Sequence, residues 1–153
     1  MRCWRITTAN WTLDKECIGA RREGGRWNPV GYPVMYAGTT IEICALEKYV
    51  HLAGVMHPPL RLVSVDIPDD ARLLYIPKLS ELPDQWAALP IGTESQEFGK
   101  RWIEAADTLA MQIPSAIIPE AANIVINPKH SAYRRVQLQI VRDFVFDARM
   151  RKA

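Results

Sequence analysis

Short apolar runs, several of which alternate with polar residues, dominate the chain. The clearest is residues 60–67, LRLVSVDI, whose alternation is typical of a strand with one buried face. Other short runs predict strands at residues 1–8, 33–37, 72–76, 115–118, 123–126 and 141–146. Apolar residues at helical spacing predict helices over residues 39–52 and 95–112, with a further helical turn inside residues 10–22.

The order of these predicted elements indicates the fold class. Seven short strands and two or three helices do not alternate strictly along the chain, which disfavours a doubly wound parallel sheet. The order favours an α+β domain with a mostly antiparallel sheet, split or sandwiched, and flanking helices. The chain has no internal repeat or linker, so we expect residues 1–153 to form a single domain.

Composition and charge disfavour several classes of protein. A content of 48% hydrophobic and 24% charged residues is that of an ordinary globular domain. A net charge of +2 is too small to predict direct nucleic-acid binding, which needs a concentrated basic face. No apolar stretch approaches the ~20 residues of a membrane span, and the N-terminal segment has no apolar signal core. We therefore expect a cytoplasmic protein that contacts neither nucleic acid nor membrane directly.

The cysteines and histidines show no metal-binding pattern. The three cysteines lie at no metal-ligand spacing, and the three histidines are scattered along the chain. We interpret Cys3, Cys17 and Cys44 as free thiols in a reducing cytosol. No metal cofactor is expected.

Residues 22–47 contain the most suggestive combination of residue types. A double glycine allows a ligand to approach the backbone, and Arg26, directly after it, can hold a pyrophosphate in a bidentate way. Tyr36 follows in a predicted strand, and Glu47 in a predicted helix. A guanidinium, a ring and a carboxylate on successive elements suit a pocket that binds an anion, stacks a flat heterocycle and stabilises a developing positive charge.

Each of these residues also has a purely structural interpretation. Taken alone, Arg26 is more often a surface arginine paired with an acid such as Glu23. Tyr36 alone is more often a core aromatic whose hydroxyl lies at the edge of the core. Glu47 can equally be a solvated carboxylate or a partner of Lys48 or Lys15.

Polar residues beside predicted turns are weaker signals. Ser115 can hydrogen-bond a ligand or cap a chain end, and Asn127 stands before a proline, where asparagine is typical of a turn. Thr39 and Glu42 have capping-box spacing, which gives Glu42 a local structural role. No Walker motif, dinucleotide-binding glycine motif or Ser/His/Asp arrangement is present.

The arrangement of these residues resembles the RES-domain toxins of bacterial toxin–antitoxin pairs. The likeness runs from about Trp4 to the end of the chain. The arginine, glutamate and serine of the family's name correspond here to Arg26, Glu47 and Ser115. The matching stretches are GGRWN at residues 24–28, Tyr36-Ala37, Ala45-Leu46-Glu47, and Ile113-Pro114-Ser115 leading to Asn127-Pro128.

The resemblance implies a fold like that of the ADP-ribosyltransferase toxins, and NAD+ as the substrate, with its nicotinamide–ribose bond cleaved. Arg26 would bind the phosphates or ribose, Tyr36 would stack on nicotinamide, and Glu47 would stabilise the cationic transition state. The implied catalytic residues are thus Arg26, Tyr36 and Glu47, and the implied substrate-binding residues are Trp27, Asn28, Ser115 and Asn127.

The resemblance also implies a partner. Toxins of this family are paired with a cognate antitoxin, an Xre-like helix-turn-helix protein that covers the active site. A multi-subunit toxin–antitoxin complex is therefore expected.

The residues leave three functions open. The first is a toxin that depletes NAD+ by hydrolysis or phosphorolysis and so arrests growth. The second is an ADP-ribosyltransferase that modifies a specific cellular protein. The third is a non-catalytic module that only binds the antitoxin, which would leave the arginine, tyrosine and glutamate without a chemical reason.

Overall fold

Seven strands form one mixed sheet in the computed structural model, which describes residues 1–52 and 56–151. The strands lie in the order β4-β5-β6-β2-β1-β3-β7, and all neighbours are antiparallel except β4 and β5. No described helix is long and apolar enough to cross a membrane. In chain order the elements are β1 (Arg2–Thr8), α1 (Ile18–Glu23), β2 (Met35–Gly38), α2 (Ile41–Leu52), β3 (Leu60–Asp66), β4 (Leu74–Tyr75), α3 (Thr93–Ala105), β5 (Ala110–Pro114), β6 (Ala122–Ile126) and β7 (Gln137–Phe144).

The sheet is split between β1 and β2. Among the described residues, these two strands pair only at Trp4 and Gly38. By contrast, β1 pairs with β3 over seven residues, and β2 pairs with β6 over four. The sheet therefore consists of two subsheets, β4-β5-β6-β2 and β1-β3-β7, that diverge from one contact. The predicted α+β architecture, with a mostly antiparallel and split sheet, is confirmed.

Three groups of buried side chains pack against the two subsheets. One covers the face of β2 and β6 that carries Met35 and Ile124, and it extends to Val65 of β3. A second covers the opposite face, where Trp27 and α3 pack over Val125. A third lies between α2 and the strands β1 and β3. Strand β2 therefore lies between the first group and the second, and α3 packs in the second.

The start of α2 packs directly on the end of β2. A Cβ atom at Gly38 would lie 2.6 Å from Cys44 Sγ and 2.7 Å from Ile43 Cγ2, so a larger residue there would displace the helix. The glycine thus brings α2 unusually close to the sheet at the point where the subsheets meet.

The helix cap lies one residue later than the predicted capping box. Ile43 N donates to Thr40 Oγ1 at 3.3 Å. Thr39 Oγ1 instead donates to the Ala122 carbonyl at 2.9 Å. The capping box predicted from Thr39 is wrong because that hydroxyl ties the β2–α2 connection to β6.

The predicted helix over residues 95–112 is wrong at its C-terminal end. Helix α3 ends at Ala105, and Ala106 adopts a left-handed conformation with φ of +51°. The segment Ala110–Pro114 is the strand β5, paired with β6 on one side and β4 on the other. A continuous apolar run fits a buried strand as well as a buried helix, so periodicity alone does not distinguish them.

The strand predicted at residues 115–118 is a turn. Ser115 N donates to the Ala121 carbonyl at 2.8 Å, and Ser115 Oγ accepts from Ile117 N at 3.0 Å. A side-chain bond to the local backbone thus takes the place of a strand ladder. The strand predicted at residues 72–76 is likewise reduced to Leu74–Tyr75, after a 3-10 turn.

Helix α3 packs on the backbone of Trp27 through Gly99. A Cβ atom at Gly99 would lie 1.9 Å from the Trp27 carbonyl oxygen. The Trp27 indole is 2% exposed, stacks with Trp86 at 6.2 Å between ring centroids and meets the edge of Phe98. This contact fixes the backbone that carries Arg26.

We expect Gly99→Ala to destabilise the fold by about 1–3 kcal/mol, because overpacking against a backbone oxygen outweighs the usual helical advantage of alanine. The matched control is Gly19→Ala in α1, where a Cβ would meet nothing within 4 Å and stability should stay equal or rise slightly. Urea unfolding of the two variants beside wild type measures the difference. Equal stability of Gly99→Ala and Gly19→Ala would contradict the close contact.

Candidate active site

Arg26 lies in a tight turn that follows α1. Gly25 N donates to the Asn28 carbonyl at 2.8 Å, which closes the turn. Gln96 of α3 donates to the Gly25 carbonyl at 3.0 Å and holds the turn from the other side. The Arg26 backbone is therefore fixed by both its own turn and α3.

Asn28 and Tyr36 lock this turn from beneath. Asn28 Nδ2 donates to the carbonyls of Ala20 and Tyr32, each at 2.8 Å. The Tyr36 hydroxyl donates to Asn28 Oδ1 at 2.7 Å and accepts from Trp27 N at 3.0 Å. Burial raises the pKa of Tyr36, so its hydroxyl stays protonated.

Two of the predicted substrate-binding residues therefore lie under the site. The Asn28 side chain is fully buried, and both its amide nitrogen and its oxygen are engaged with protein groups. Trp27 is 2% exposed within its aromatic cluster. Both residues shape the turn that presents Arg26.

The Arg26 guanidinium is half-buried against a neighbouring loop. Its Nη1 donates to the carbonyls of Trp86 at 2.7 Å and Ala88 at 3.0 Å. Within residues 1–52 and 56–151, Nη1 is the only nitrogen of this guanidinium that makes a protein hydrogen bond. Burial lowers the pKa of Arg26, while Glu47 and then Tyr36 oppose that shift electrostatically. The guanidinium is thus within electrostatic reach of both.

Glu47 is held by two donors from two other elements. Ser115 Oγ donates to Glu47 Oε1 at 2.8 Å, and Asn123 Nδ2 donates to the same oxygen at 2.6 Å. Ser115 follows β5 and Asn123 lies in β6, so α2 is bonded to the far subsheet through this carboxylate. Both bonds leave Oε2 as the oxygen that can face a ligand.

Ser115 has no hydrogen-bonding capacity left for a ligand. Its hydroxyl accepts from Ile117 N at 3.0 Å and Ile118 N at 3.3 Å while it donates to Glu47. A hydroxyl offers one donor and two acceptor positions, so all are used. The residue is also fully buried.

The strand register brings Tyr36 and the Glu47 carboxylate to one face of the sheet. Tyr36 pairs with Val125, and Gly38 pairs with Asn123. Directly paired residues share a face, and diagonal neighbours lie about 7–8 Å apart. Asn123, with the carboxylate it binds, is thus diagonal to Tyr36. The structure therefore brings Arg26, Tyr36 and Glu47 together.

Asn127 does not join this group. It follows the opposite end of β6, about 13 Å from Asn123 at the usual rise of a strand. The Asn127 side chain is fully buried, donates to the Ile103 carbonyl at 3.0 Å and accepts from Lys129 N at 3.0 Å. These contacts fasten the turn after β6 to α3.

Sequence reasoning missed two polar residues of interest, Asn123 and Arg5. An asparagine at the start of an apolar run usually indicates a turn, and only the pairing of β6 with β2 discloses its contact with Glu47. Arg5 lies in β1, and its buried Nη1 has no partner among the described residues. Burial, and after it the charge of Arg5, lowers the pKa of Lys48, which follows Glu47 in the sequence, so two cations lie near each other. The sequence signal for Arg5 was a single charged residue between the apolar residues Trp4 and Ile6.

The cysteines take no part in this chemistry as nucleophiles. All three are buried free thiols. Burial raises the pKa of Cys3 to about 11 and that of Cys44 to about 12, so both are protonated at neutral pH. Among the described residues, no group of three His, Cys, Asp or Glu side chains is arranged to hold a metal ion.

Residues 2–147 match the family profile described as the RES domain. The chain belongs to the RES domain family. The predicted family is therefore confirmed, and the match spans all the elements that build the site.

Curated relatives of this RES protein are similar over nearly their whole length. It is 36% identical to the Prs ADP-ribosylating toxin of Sphingobium sp. (strain YBL2), over 98% of this chain and 97% of that protein. It is 32% identical to Toxin Res of Pseudomonas putida (strain KT2440), over 98% and 99%. It is also 32% identical to Toxin Res of Photorhabdus laumondii, over 88% and 86%.

The RES protein also shares its fold with a solved structure. A chain of the crystal structure of the M. tuberculosis MbcT–MbcA toxin–antitoxin complex superposes with a TM-score of 0.68 at 22% identity. The likeness covers 94% of this chain and 82% of that chain. The predicted fold class is confirmed by this likeness.

We expect Tyr36→Phe to lower the free energy of unfolding by about 1–3 kcal/mol, because Trp27 N and Asn28 Oδ1 lose their partner in a buried place. The ring that could stack on a ligand is retained. The control is Tyr75→Phe. The Tyr75 hydroxyl contacts the exposed Glu81 at 3.2 Å, so the free energy of unfolding of this variant should stay within about 0.5 kcal/mol of wild type. Denaturant unfolding compares the three proteins, and unchanged stability of Tyr36→Phe would mean that this hydroxyl does not support the turn.

Proposed function

We propose that this RES protein is the toxin of a toxin–antitoxin pair and an enzyme that cleaves the nicotinamide–ribose bond of NAD+. The observation that carries the proposal is the convergence of Arg26, Tyr36 and a positioned Glu47 at the split of the sheet. The family membership and the toxin names of its relatives support it.

Arg26 and Tyr36 bind different parts of the dinucleotide in this proposal. The nitrogens of Arg26 other than Nη1, which bond no group among the described residues, suit the pyrophosphate, because a guanidinium binds phosphate oxygens through parallel hydrogen bonds. Nη1 is already held by two carbonyls, so the side chain is ordered before the ligand arrives. The Tyr36 ring lies on the same face as Asn123, which supports its proposed role of stacking on the nicotinamide.

Glu47 supplies the electrostatic part of the reaction. The bond between ribose C1′ and the nicotinamide nitrogen breaks with its electron pair on nitrogen, so the cationic ring departs as neutral nicotinamide. The positive charge moves to the ribose as an oxocarbenium-like centre, which the carboxylate stabilises. The leaving group needs no proton, so positioning and charge are what the protein must provide.

The acceptor of the ADP-ribosyl group separates the first proposal from its alternative. Water gives ADP-ribose and phosphate gives its phosphorylated form, and both drain NAD+ from the cytosol. Transfer to a specific protein is the second candidate, and it is favoured by the 36% identity to a protein named as an ADP-ribosylating toxin. In each case an atom of the acceptor bonds to C1′, and a neutral acceptor such as water also loses a proton.

The proposed partner is a cognate antitoxin of the Xre-like helix-turn-helix class, within a multi-subunit complex. The fold shared with a chain of a toxin–antitoxin complex supports an antitoxin partner. The loop whose carbonyls bind Arg26 continues into Leu89, which is 85% exposed, and Ile91, which is 41% exposed. An antitoxin that covers this rim would bury apolar surface and block the site together.

We expect Glu47→Gln to reduce the kcat for NAD+ consumption by about 100-fold or more, with little change in KM, because the charge acts on the transition state. The control is Glu42→Gln on the same helix, an exposed first-turn carboxylate that should leave activity unchanged. Purified proteins are incubated with labelled NAD+, with and without phosphate and cell extract, and the products are identified by mass spectrometry.

The products decide between the candidates. Free ADP-ribose or its phosphorylated form supports NAD+ depletion, and label on a protein supports transfer. Wild-type protein that consumes no NAD+ under any of these conditions would overturn the proposed reaction and favour a non-catalytic module.

A further inference from the structure

Both donors that hold Glu47 converge on one of its two oxygens. Ser115 Oγ and Asn123 Nδ2 lie 2.8 Å and 2.6 Å from Oε1. A carboxylate held at one oxygen from two directions cannot rotate without breaking a charge-assisted hydrogen bond. The orientation of Oε2 is thereby determined before any ligand binds.

Asn123 can reach Glu47 because α2 lies so close to the sheet. Gly38, on which Ile43 and Cys44 pack, is paired directly with Asn123 across β2 and β6. Glu47 is one helical turn beyond Ile43, so its side chain lies over the neighbouring strand. The short side chain of Asn123 can then reach from β6 to Glu47 on α2.

The Asn123 side chain has no other role among the described residues. The backbone of Asn123 pairs with Gly38 on one side and Ile113 on the other, so the strand does not need the side chain. Nδ2 makes its hydrogen bond to Glu47, and only this nitrogen of the amide can donate to a carboxylate. The contact therefore serves the carboxylate rather than the fold.

We propose that Asn123 is a positioning residue. Together with Ser115 it occupies Oε1 of Glu47 with hydrogen bonds and so orients Oε2 toward the ribose. This inference rests on the proposed function. It also reassigns Ser115 from ligand contact to carboxylate support, since the buried hydroxyl has no bond left to give. Ser115 and Asn123 matter most in the transition state, because the position of the carboxylate oxygen relative to the positive charge on the ribose decides how strongly that charge is stabilised.

The test replaces Asn123 by alanine and by aspartate, each alone and with Glu47→Gln. We expect Asn123→Ala to lower kcat about 10–100-fold with little change in KM, as for a catalytic group that is slightly misplaced. In the Glu47→Gln background, Asn123→Ala should cost much less, because its effect passes through the carboxylate. A full additional loss in that background would overturn the proposal.

Asn123→Asp adds a readout that a merely structural role would not move. An ionised carboxyl group at this position repels Glu47, whereas a protonated one again donates a hydrogen bond. The ratio of variant to wild-type activity should therefore rise as the pH falls. The matched control is Asn10→Asp, which makes the same charge change at an exposed residue and should follow the wild-type pH profile. A pH-independent ratio for Asn123→Asp would contradict the positioning role.

Growth arrest on induction is scored beside NAD+ turnover for every variant. A wild-type protein without NAD+ turnover would refute the proposed reaction and the inference with it, whereas wild-type kcat in a folded Asn123→Ala protein would overturn the inference alone. Thermal unfolding of each variant identifies any that fail to fold, in which case the isosteric Asn123→Asp carries the decision.

Discussion

The close packing of α2 on Gly38 is the constraint on which the rest of the site depends. The glycine lets the helix approach the end of β2 more closely than any other residue would allow. Its cross-strand neighbour is Asn123, which then lies within hydrogen-bonding distance of Glu47. A carboxylate on α2, which packs on β1 and β3, is thus bonded to β6 of the other subsheet, at the point where the two subsheets diverge.

The opposite wall of the site is built independently. Asn28, the Tyr36 hydroxyl and Gln96 hold the turn that carries Arg26, and α3 packs against its backbone. The polar groups of these residues bond one another or the backbone, so the turn that carries the Arg26 guanidinium is rigid. Preorganised charge of this kind is what a reaction through a cationic transition state requires, since reorientation at the moment of reaction would cost free energy.

The structure places the arginine, tyrosine and glutamate that the sequence singles out near one another, and it gives the amides and the serine structural partners. Arg26, Tyr36 and Glu47 were found from their types and their order on successive elements. Asn28 and Asn127 have the same polar groups as ligand-binding residues, yet both are fully buried and bonded to backbone. Local sequence does not indicate whether a single polar residue is buried, so it cannot distinguish a ligand-binding asparagine from a structural one.

The sequence by itself determined the family, the α+β class and the strands whose alternation is clean, because those depend on residue types and local periodicity. Tertiary structure alone decided that α3 ends at Ala105 and that residues 110–114 form a strand, because pairing with β6 outweighs an ambiguous apolar run. It also decided the partners of Glu47, since Ser115 and Asn123 are distant in sequence and meet the carboxylate only through the register of β2, β6 and β5. Long-range hydrogen bonds depend on which strands lie side by side, and no short pattern in the chain specifies that order.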